Sequence, residues 1–170
     1  MWFFMILCYV LVAISGLGLV QIGLNHYFDF WQTNRITFDL IVSIIFIAAQ
    51  TLVMFFFVGM GVNIREYLEE HPELGHDLYK KMFAIKMRLY PPTMMVTILF
   101  MATVIIDGVY FIKLYTESKI SEWWFHASYF LTLWYFYKAT KEQHTSFKGS
   151  TEIVLEMTKQ ERDAVKTDLS

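Results

Sequence analysis

Four long runs with almost no charge constrain the fold more than any other feature of this 170-residue chain. They cover residues 1–24, 36–62, 92–115 and 123–137. A helix that crosses a bilayer needs roughly 20 such residues in succession. Charged residues make up only 18% of the sequence, against about a quarter in soluble domains. We therefore expect an all-α integral membrane protein whose domain, residues 1–147, is a bundle of four transmembrane helices, spanning about residues 2–24, 36–62, 93–115 and 122–140.

The charged segment between the second and third runs, residues 65–92, has a helical pattern of its own. Pro72 suits the first turn of a helix, where its missing N–H costs nothing. Apolar residues then recur at spacings of three and four, as on one stripe of a helix: Leu74, Leu78, Met82, Ile85 and Leu89. This pattern predicts an amphipathic interfacial helix over about residues 73–90. Pro91 and Pro92 should end it, because a residue before proline is pushed out of helical geometry.

The last part of the chain is the least typical of a membrane protein. The fourth run is short for a span, so the helix must continue through Lys138, whose long side chain can reach toward the headgroups. Residues 148–170 have a soluble composition, and Thr158 followed by Glu161 matches a capping box. We expect a cytoplasmic tail with a short carboxyl-terminal helix.

Lysine and arginine are concentrated in two of the connecting segments, and this sets the expected orientation. The segment between the second and third helices and the tail carry most of these residues, while the other two links carry few. By the positive-inside rule both termini and the amphipathic helix are cytoplasmic. The expected location is a bacterial-type inner (cytoplasmic) membrane.

Several classes of function find no support in the sequence. The net charge of −2 argues against a nucleic-acid partner, which requires a basic surface. The single cysteine, Cys8, lies inside an apolar run and is expected to behave as a small buried hydrophobe. The sequence contains no phosphate-binding glycine loop and none of the repeated halves typical of transporters.

The best candidates for chemistry are ionisable residues inside the spans, since their burial in lipid is costly. Asp107 lies within the third span, in its outer half. Asp39 and His126 are expected about one turn below the outer surface, and His26 and Asp29 border that surface. The sequence therefore predicts a polar cluster on the outer side that draws on all four helices.

Four interpretations of this cluster remain open, and one of them is a proton relay. A metal ion could be held by Asp107, Asp39 and His126. A haem could be held by His26 and His126, which come from different helices. In the simplest interpretation, which we favour for Asp107, its carboxyl group is hydrogen-bonded to Thr103, Tyr110 or His126 and only holds helices together.

Two further patterns concern helix packing. Small residues on the first helix, Ala13, Gly16 and Gly23, are expected to form a face on which another helix can pack closely. The fourth helix is crowded with aromatic residues, which could face lipid, another protein or a flat cofactor. A small bundle buries such helices poorly by itself, so the expected partners are the lipid bilayer and other membrane subunits or further copies of the chain.

The sequence thus favours a non-catalytic accessory or assembly subunit of a larger membrane complex. One alternative is a redox membrane protein that binds a cofactor or metal through the outer Asp/His cluster. A weaker alternative is a small oligomeric transporter coupled to protons or cations. If the accessory function is right, Asp107→Asn should be mild, because asparagine keeps the hydrogen bonding.

Overall fold

The computed structural model describes residues 2–28, 34–71, 77–113 and 122–168, and in these ranges it contains four α-helices and no strand. The helices are α1 (Trp2–Phe28), α2 (Arg35–Glu70), α3 (Asp77–Lys113) and α4 (Trp123–Asp168). Three segments, Trp2–Phe28, Arg35–Glu70 and Asp77–Ile112, are long and apolar enough to cross a membrane. This confirms an all-helical protein with several membrane-capable helices. The described part of α4 does not have the hydropathy of the other three.

The helices pack in a ring in chain order. α1 contacts α2, α2 contacts α3, α3 contacts α4, and α4 returns to α1. Consecutive helices run antiparallel, because early residues of one helix contact late residues of the next. The contacts are His26–Arg35 and Gly18–Val42 for α1 and α2, Arg35–Asp107 and Gly61–Lys86 for α2 and α3, and Lys81–Glu156 and Thr103–Thr132 for α3 and α4. One end of the bundle therefore holds the last turns of α1 and α3 and the first turns of α2 and α4. We call it the Asp107 end, and the opposite one the amino-terminal end.

The core consists of two apolar clusters, one toward each end of the bundle. In the cluster near the Asp107 end, Phe46 of α2 lies flat on Phe100 of α3, with ring centroids 3.9 Å apart. In the other, Phe57 and Phe147 meet at 5.2 Å. Large apolar side chains also cover the outside of the bundle. Apolar surroundings both inside and outside are what a lipid-embedded helix requires.

The prediction of a helix break at Pro91 was wrong, and so was that of a separate interfacial helix. Residues 77–113 form one continuous helix that contains both prolines. Its apolar stripe packs on the rest of the bundle, where Leu78, Met82 and Leu89 are buried. Leu74 lies outside the described residues. A proline removes one backbone hydrogen bond, and here packing on both sides of the prolines outweighs that local cost.

The predicted boundary between the transmembrane domain and the tail, at residue 148, does not coincide with the end of a helix. α4 continues without a break through Gly149 to Asp168, so the proposed boundary at residue 148 falls inside a helix. Phe147, Ser150 and Ile153 are buried at helical spacing, which keeps this part of α4 against its neighbours. Gly149 leaves room for Ile85 of α3, whose Cδ1 atom lies 3.0 Å from the position a Cβ would take.

The predicted small-residue face of α1 exists in part. The ring of Phe136 packs on Gly16, and that of Tyr129 packs on Gly23 so closely that a Cβ would overlap the phenol. Tyr129 also donates a hydrogen bond to the carbonyl oxygen of Leu19, at 3.3 Å. Ala13 is exposed and does not belong to this face. The aromatic residues of α4 therefore contribute directly to its packing on α1.

Candidate functional site

The centre of the polar cluster is a buried ion pair between Asp107 of α3 and Arg35, the first residue of α2. The Nη2 group of Arg35 donates to Oδ1 of Asp107 at 2.6 Å, and its Nε group lies 3.3 Å from Oδ2. Both side chains are almost completely buried, with 2% and 1% exposed. Charge-assisted hydrogen bonds of this two-pronged kind are among the strongest in proteins.

His26 of α1 completes the contacts of Asp107. Its Nδ1–H group donates to Oδ1 of Asp107 at 2.6 Å. Phe125 of α4 covers one face of the imidazole, with ring centroids 3.5 Å apart and an interplanar angle of 13°. Tyr110 packs near the same ring at 5.1 Å. Side chains from all four helices thus meet at this point, because alternating helix directions bring the two carboxyl ends and two amino ends together.

Asp39 lies one turn beyond Arg35 on α2 and belongs to the same cluster. Its carboxyl group is within electrostatic reach of both Asp107 and Arg35. It is buried, and its Oδ1 atom has no hydrogen-bond partner among the described residues. The Nε2 atom of His26 is likewise buried and unbonded within the described ranges. The cluster therefore combines two carboxyl groups, one guanidinium group and one imidazole.

His126 of α4 stands at the edge of the cluster. Its Nδ1 atom is hydrogen-bonded to the hydroxyl group of Tyr27 at 2.8 Å, and the two rings are stacked. Its ring centroid lies 6.2 Å from that of His26. The structure therefore brings together four residues of the predicted polar cluster, His26, Asp39, Asp107 and His126. Asp29, the fifth member of the predicted set, lies outside the described residues.

The expected partners of Asp107 were wrong. Its carboxyl group bonds to Arg35 and His26, whereas Thr103 is hydrogen-bonded to Thr132 at 2.8 Å. Arg35 was missed, because a charged residue at the start of an apolar run was assigned to the link. The sequence signal that could have found it is its position next to the span, one helical turn from Asp39.

A cofactor or metal role for the cluster gains no geometric support from these contacts. Within the described residues, no group of three or more His, Cys, Asp or Glu side chains is arranged to hold a metal ion. The ring of Phe125 occupies one face of His26, and His126 bonds to Tyr27. The metal set Asp107, Asp39 and His126 and the haem pair His26 and His126 rest on the sequence pattern alone and stay predictions.

A second buried polar pair lies deeper in the bundle. The amide group of Gln143 on α4 donates to the side-chain oxygen of Gln50 on α2 at 2.8 Å, and both residues are buried. This contact joins two helices that stand diagonally opposite each other. Its position between the two apolar clusters makes it a connection across the centre of the bundle.

Two grooves open on the outer surface between α1 and α2. One, of about 360 Å³, is lined mainly by apolar residues that include Ile14, Leu17 and Ile41. The other, of about 440 Å³, is lined mainly by apolar residues that include Phe4 and Phe55. Neither is lined by a residue of the Asp107 cluster. No protein-family model, curated protein or solved structure matches the chain.

Proposed function

We propose that this protein is a non-catalytic accessory or assembly subunit of a larger membrane complex. The observation that carries the proposal is the pairing of its buried polar side chains with one another. The carboxyl group of Asp107 is hydrogen-bonded to Arg35 and His26, and the side-chain amides of Gln50 and Gln143 are hydrogen-bonded to each other. Polar groups used in this way hold helices together.

The outer surface supports the same function. Exposed aromatic side chains are numerous on α1 and on α4, and those on α4 include Trp123, Trp124, Phe130 and Trp134. Aromatic residues are enriched where membrane proteins meet one another or the lipid boundary. The partners we propose are the lipid bilayer together with other membrane subunits or further copies of this chain.

The proposed topology has four spans, with α4 as the fourth. Both termini lie in the cytoplasm, and the membrane is of the bacterial inner type. The support is the excess of lysine and arginine at the amino-terminal end of the bundle, in residues 63–90 and 138–168. The positive-inside rule places such an end in the cytoplasm. Reporter fusions to each terminus test this topology, and an external location of either terminus contradicts it.

Native mass spectrometry of protein extracted gently from its own membrane is the experiment that tests the function. We expect other protein chains bound to this one and no mass corresponding to a cofactor. A self-contained oligomer that carries haem or a metal ion would overturn the proposal. The Lys159→Ala variant, which alters an exposed residue far along α4, is a suitable control for the extraction.

An alternative function, a cofactor- or metal-binding redox protein, is favoured by one observation. Oδ1 of Asp39 and Nε2 of His26 are buried beside Asp107 without a hydrogen-bond partner in the described ranges. Buried ionisable groups in a membrane are functional candidates. In this alternative, His126→Ala should remove a bound cofactor, whereas in an accessory subunit it should only weaken packing. The same unpartnered groups are the basis for the weaker alternative, a small proton- or cation-coupled transporter.

A further inference from the structure

The outward surface of α4 changes from aromatic to basic within one helical turn. Trp134 and Tyr137 are exposed, and the exposed residues Lys138 and Lys141 follow them directly. Arg88 of α3 lies beside them, because its Nε group forms an ion pair with Glu142 of α4 at 2.9 Å. We call Arg88, Lys138 and Lys141 the basic seam, since Arg88 reaches α4 at Glu142, the residue that follows Lys141.

The basic seam carries more positive charge than its carboxylate neighbour can balance. Glu142 is paired with Arg88, and among the described residues no carboxylate lies within ion-pair distance of Lys138 or Lys141. Other cations of the bundle do have such partners, as Lys81 does with Glu156 at 2.9 Å. The seam therefore has two ammonium groups without a carboxylate partner in the described ranges, of which that of Lys138 contacts only the ring of Tyr135.

The position of the seam along α4 sets it close to hydrocarbon. Fifteen residues separate Trp123 from Lys138, which corresponds to about 22 Å of helix, less than the roughly 30 Å of a hydrocarbon core. Side chains on a helix tilt toward its amino terminus, and the amino terminus of α4 is at the Asp107 end. Accordingly, the ammonium group of Lys138 lies over the ring of Tyr135, 5.9 Å from its centroid. The long flexible side chain can also reach the headgroups, where an anionic phosphate can pair with it.

Other faces of the bundle at the same height lack this charge. The hydrogen bond between Tyr9 and His144 relates the heights of α1 and α4, and that between Gln50 and Gln143 relates α2 and α4. Near these positions α1 and α2 expose apolar residues such as Val10 and Ile47. Anion binding should therefore be confined to the α3–α4 side.

We propose that the basic seam binds the headgroup of one anionic phospholipid. The phosphodiester bridges Lys138 and Lys141, and Arg88 stands at its edge. The acyl chains lie along Trp134 and the other exposed apolar residues of α4. The inference rests on the proposed crossing of the membrane by α4, and it adds a specific lipid to the proposed function.

Lipid titration of the purified full chain, followed by native mass spectrometry, tests the proposal. The probes are phosphatidylglycerol and phosphatidylcholine with the same acyl chains. We expect one tightly retained phosphatidylglycerol per chain. Each cation near anionic headgroups contributes roughly a factor of five to binding. The double variant Lys138→Ala/Lys141→Ala should therefore lower the preference for phosphatidylglycerol by about thirtyfold.

Control variants distinguish a specific lipid site from the general attraction of cationic side chains to anionic headgroups. Lys159→Ala removes an exposed cation about 31 Å further along α4 and should leave the preference unchanged. The double variant Lys138→Arg/Lys141→Arg keeps the positive charge and should retain most of the preference for phosphatidylglycerol. Equal retention of both lipids by the wild-type chain overturns the proposal, and so does an equal loss in the Lys159→Ala variant.

A failure of the lipid-binding proposal can be distinguished from a failure of the proposed accessory function. The preference between two lipids is a property of the isolated chain, whereas an accessory function is tested by the chains that co-purify with it. Far-ultraviolet circular dichroism of each variant shows whether the helices have formed. If the double variant does not fold, the wild-type comparison of the two lipids at low and high salt decides the question, because salt weakens only an electrostatic preference.

Discussion

The buried ion pair between Arg35 and Asp107 makes a sharp prediction about Asp107→Asn. The sequence alone predicts a mild effect of this substitution, because asparagine keeps hydrogen-bonding capacity. The ion pair changes that expectation, since asparagine leaves the guanidinium group of Arg35 buried with 2% exposed and without its carboxylate. We now expect a substantial loss of stability.

The magnitude follows from what the substitution leaves behind. Removal of one partner of a buried ion pair typically costs about 3–5 kcal/mol. Asp39 is within electrostatic reach of Arg35 and can compensate part of its charge, so we expect a loss near the lower limit, about 3 kcal/mol. Replacement of the whole pair by apolar residues is often close to neutral. The double variant Arg35→Met/Asp107→Leu should therefore recover most of the loss, less about 1 kcal/mol for the unpartnered Nδ1–H group of His26.

The chain contains its own probe for this measurement. Cys8 is its single cysteine, and it is completely buried. It lies 18 residues before His26 on α1, or about 27 Å from the cluster, so its exposure reports on unfolding rather than on a local change at Asp107. Labelling of Cys8 with a maleimide dye, in mixed micelles with an increasing fraction of sodium dodecyl sulfate, gives an unfolding midpoint for each variant.

Two results would refute this reasoning. If Asp107→Asn unfolds within about 0.5 kcal/mol of the wild type, the pair is not an important buried contact. If the destabilisation of the double variant equals the sum of the two single effects, Arg35 and Asp107 are not energetically coupled. The single variant Arg35→Met supplies the other side of the double-mutant cycle.

Two packing contacts give further predictions in the same assay. Gly23→Ala should cost about 1–3 kcal/mol because its new methyl group overlaps the ring of Tyr129, whereas Gly59→Ala, which has open space around it, should be close to neutral. If both glycine variants behave alike, the contact of α1 with α4 does not depend on Gly23. Gln50→Leu should cost about 1–3 kcal/mol because it leaves the buried amide of Gln143 unbonded, and Gln50→Leu/Gln143→Leu should restore most of it. If the double variant is no more stable than the single one, the amide pair is not the source of the loss.

The sequence predicted the members of the polar cluster better than their bonding. His26, Asp39, Asp107 and His126 could be placed at one end of the bundle from helix lengths and chain direction alone. Their hydrogen-bond partners could not be derived. Hydrogen bonding depends on how each helix is rotated about its axis, whereas counting residues along a span gives only the depth of a residue in the membrane. Arg35 was overlooked for a related reason: the burial of a cation becomes evident only when a carboxylate on another helix is known to face it.

The continuity of α3 was predicted wrongly because the local effect of proline was given more weight than the helical spacing of apolar residues on both sides of it. The preference against helix before proline is a property of two adjacent residues. The buried positions of α3 keep their helical spacing across Pro91 and Pro92, from Leu89 to Val96 and Phe100. An unbroken phase of this kind is the signal that one helix continues. Tertiary packing then holds the prolines inside it.

Two tyrosine–histidine hydrogen bonds join α1 to α4, and the residue spacing between them is the same on both helices. Tyr9 pairs with His144 at 2.9 Å, and Tyr27 pairs with His126 at 2.8 Å. The two tyrosines are 18 residues apart, and so are the two histidines. Five full helical turns, about 27 Å, therefore separate two equivalent contacts. That length is close to the thickness of a hydrocarbon core.

The contacts between these two ends follow the same register. Gly16 meets Phe136 and Gly23 meets Tyr129, so each helix repeats its contact after seven residues. α4 thus accompanies α1 over the whole distance between the two hydrogen bonds. α1 is long and apolar enough to cross a membrane, and if it does, a helix packed along that length shares its surroundings. This register is the strongest argument for α4 as a fourth span, and it explains why a helix with lysines at positions 138 and 141 needs the anionic headgroup proposed for them.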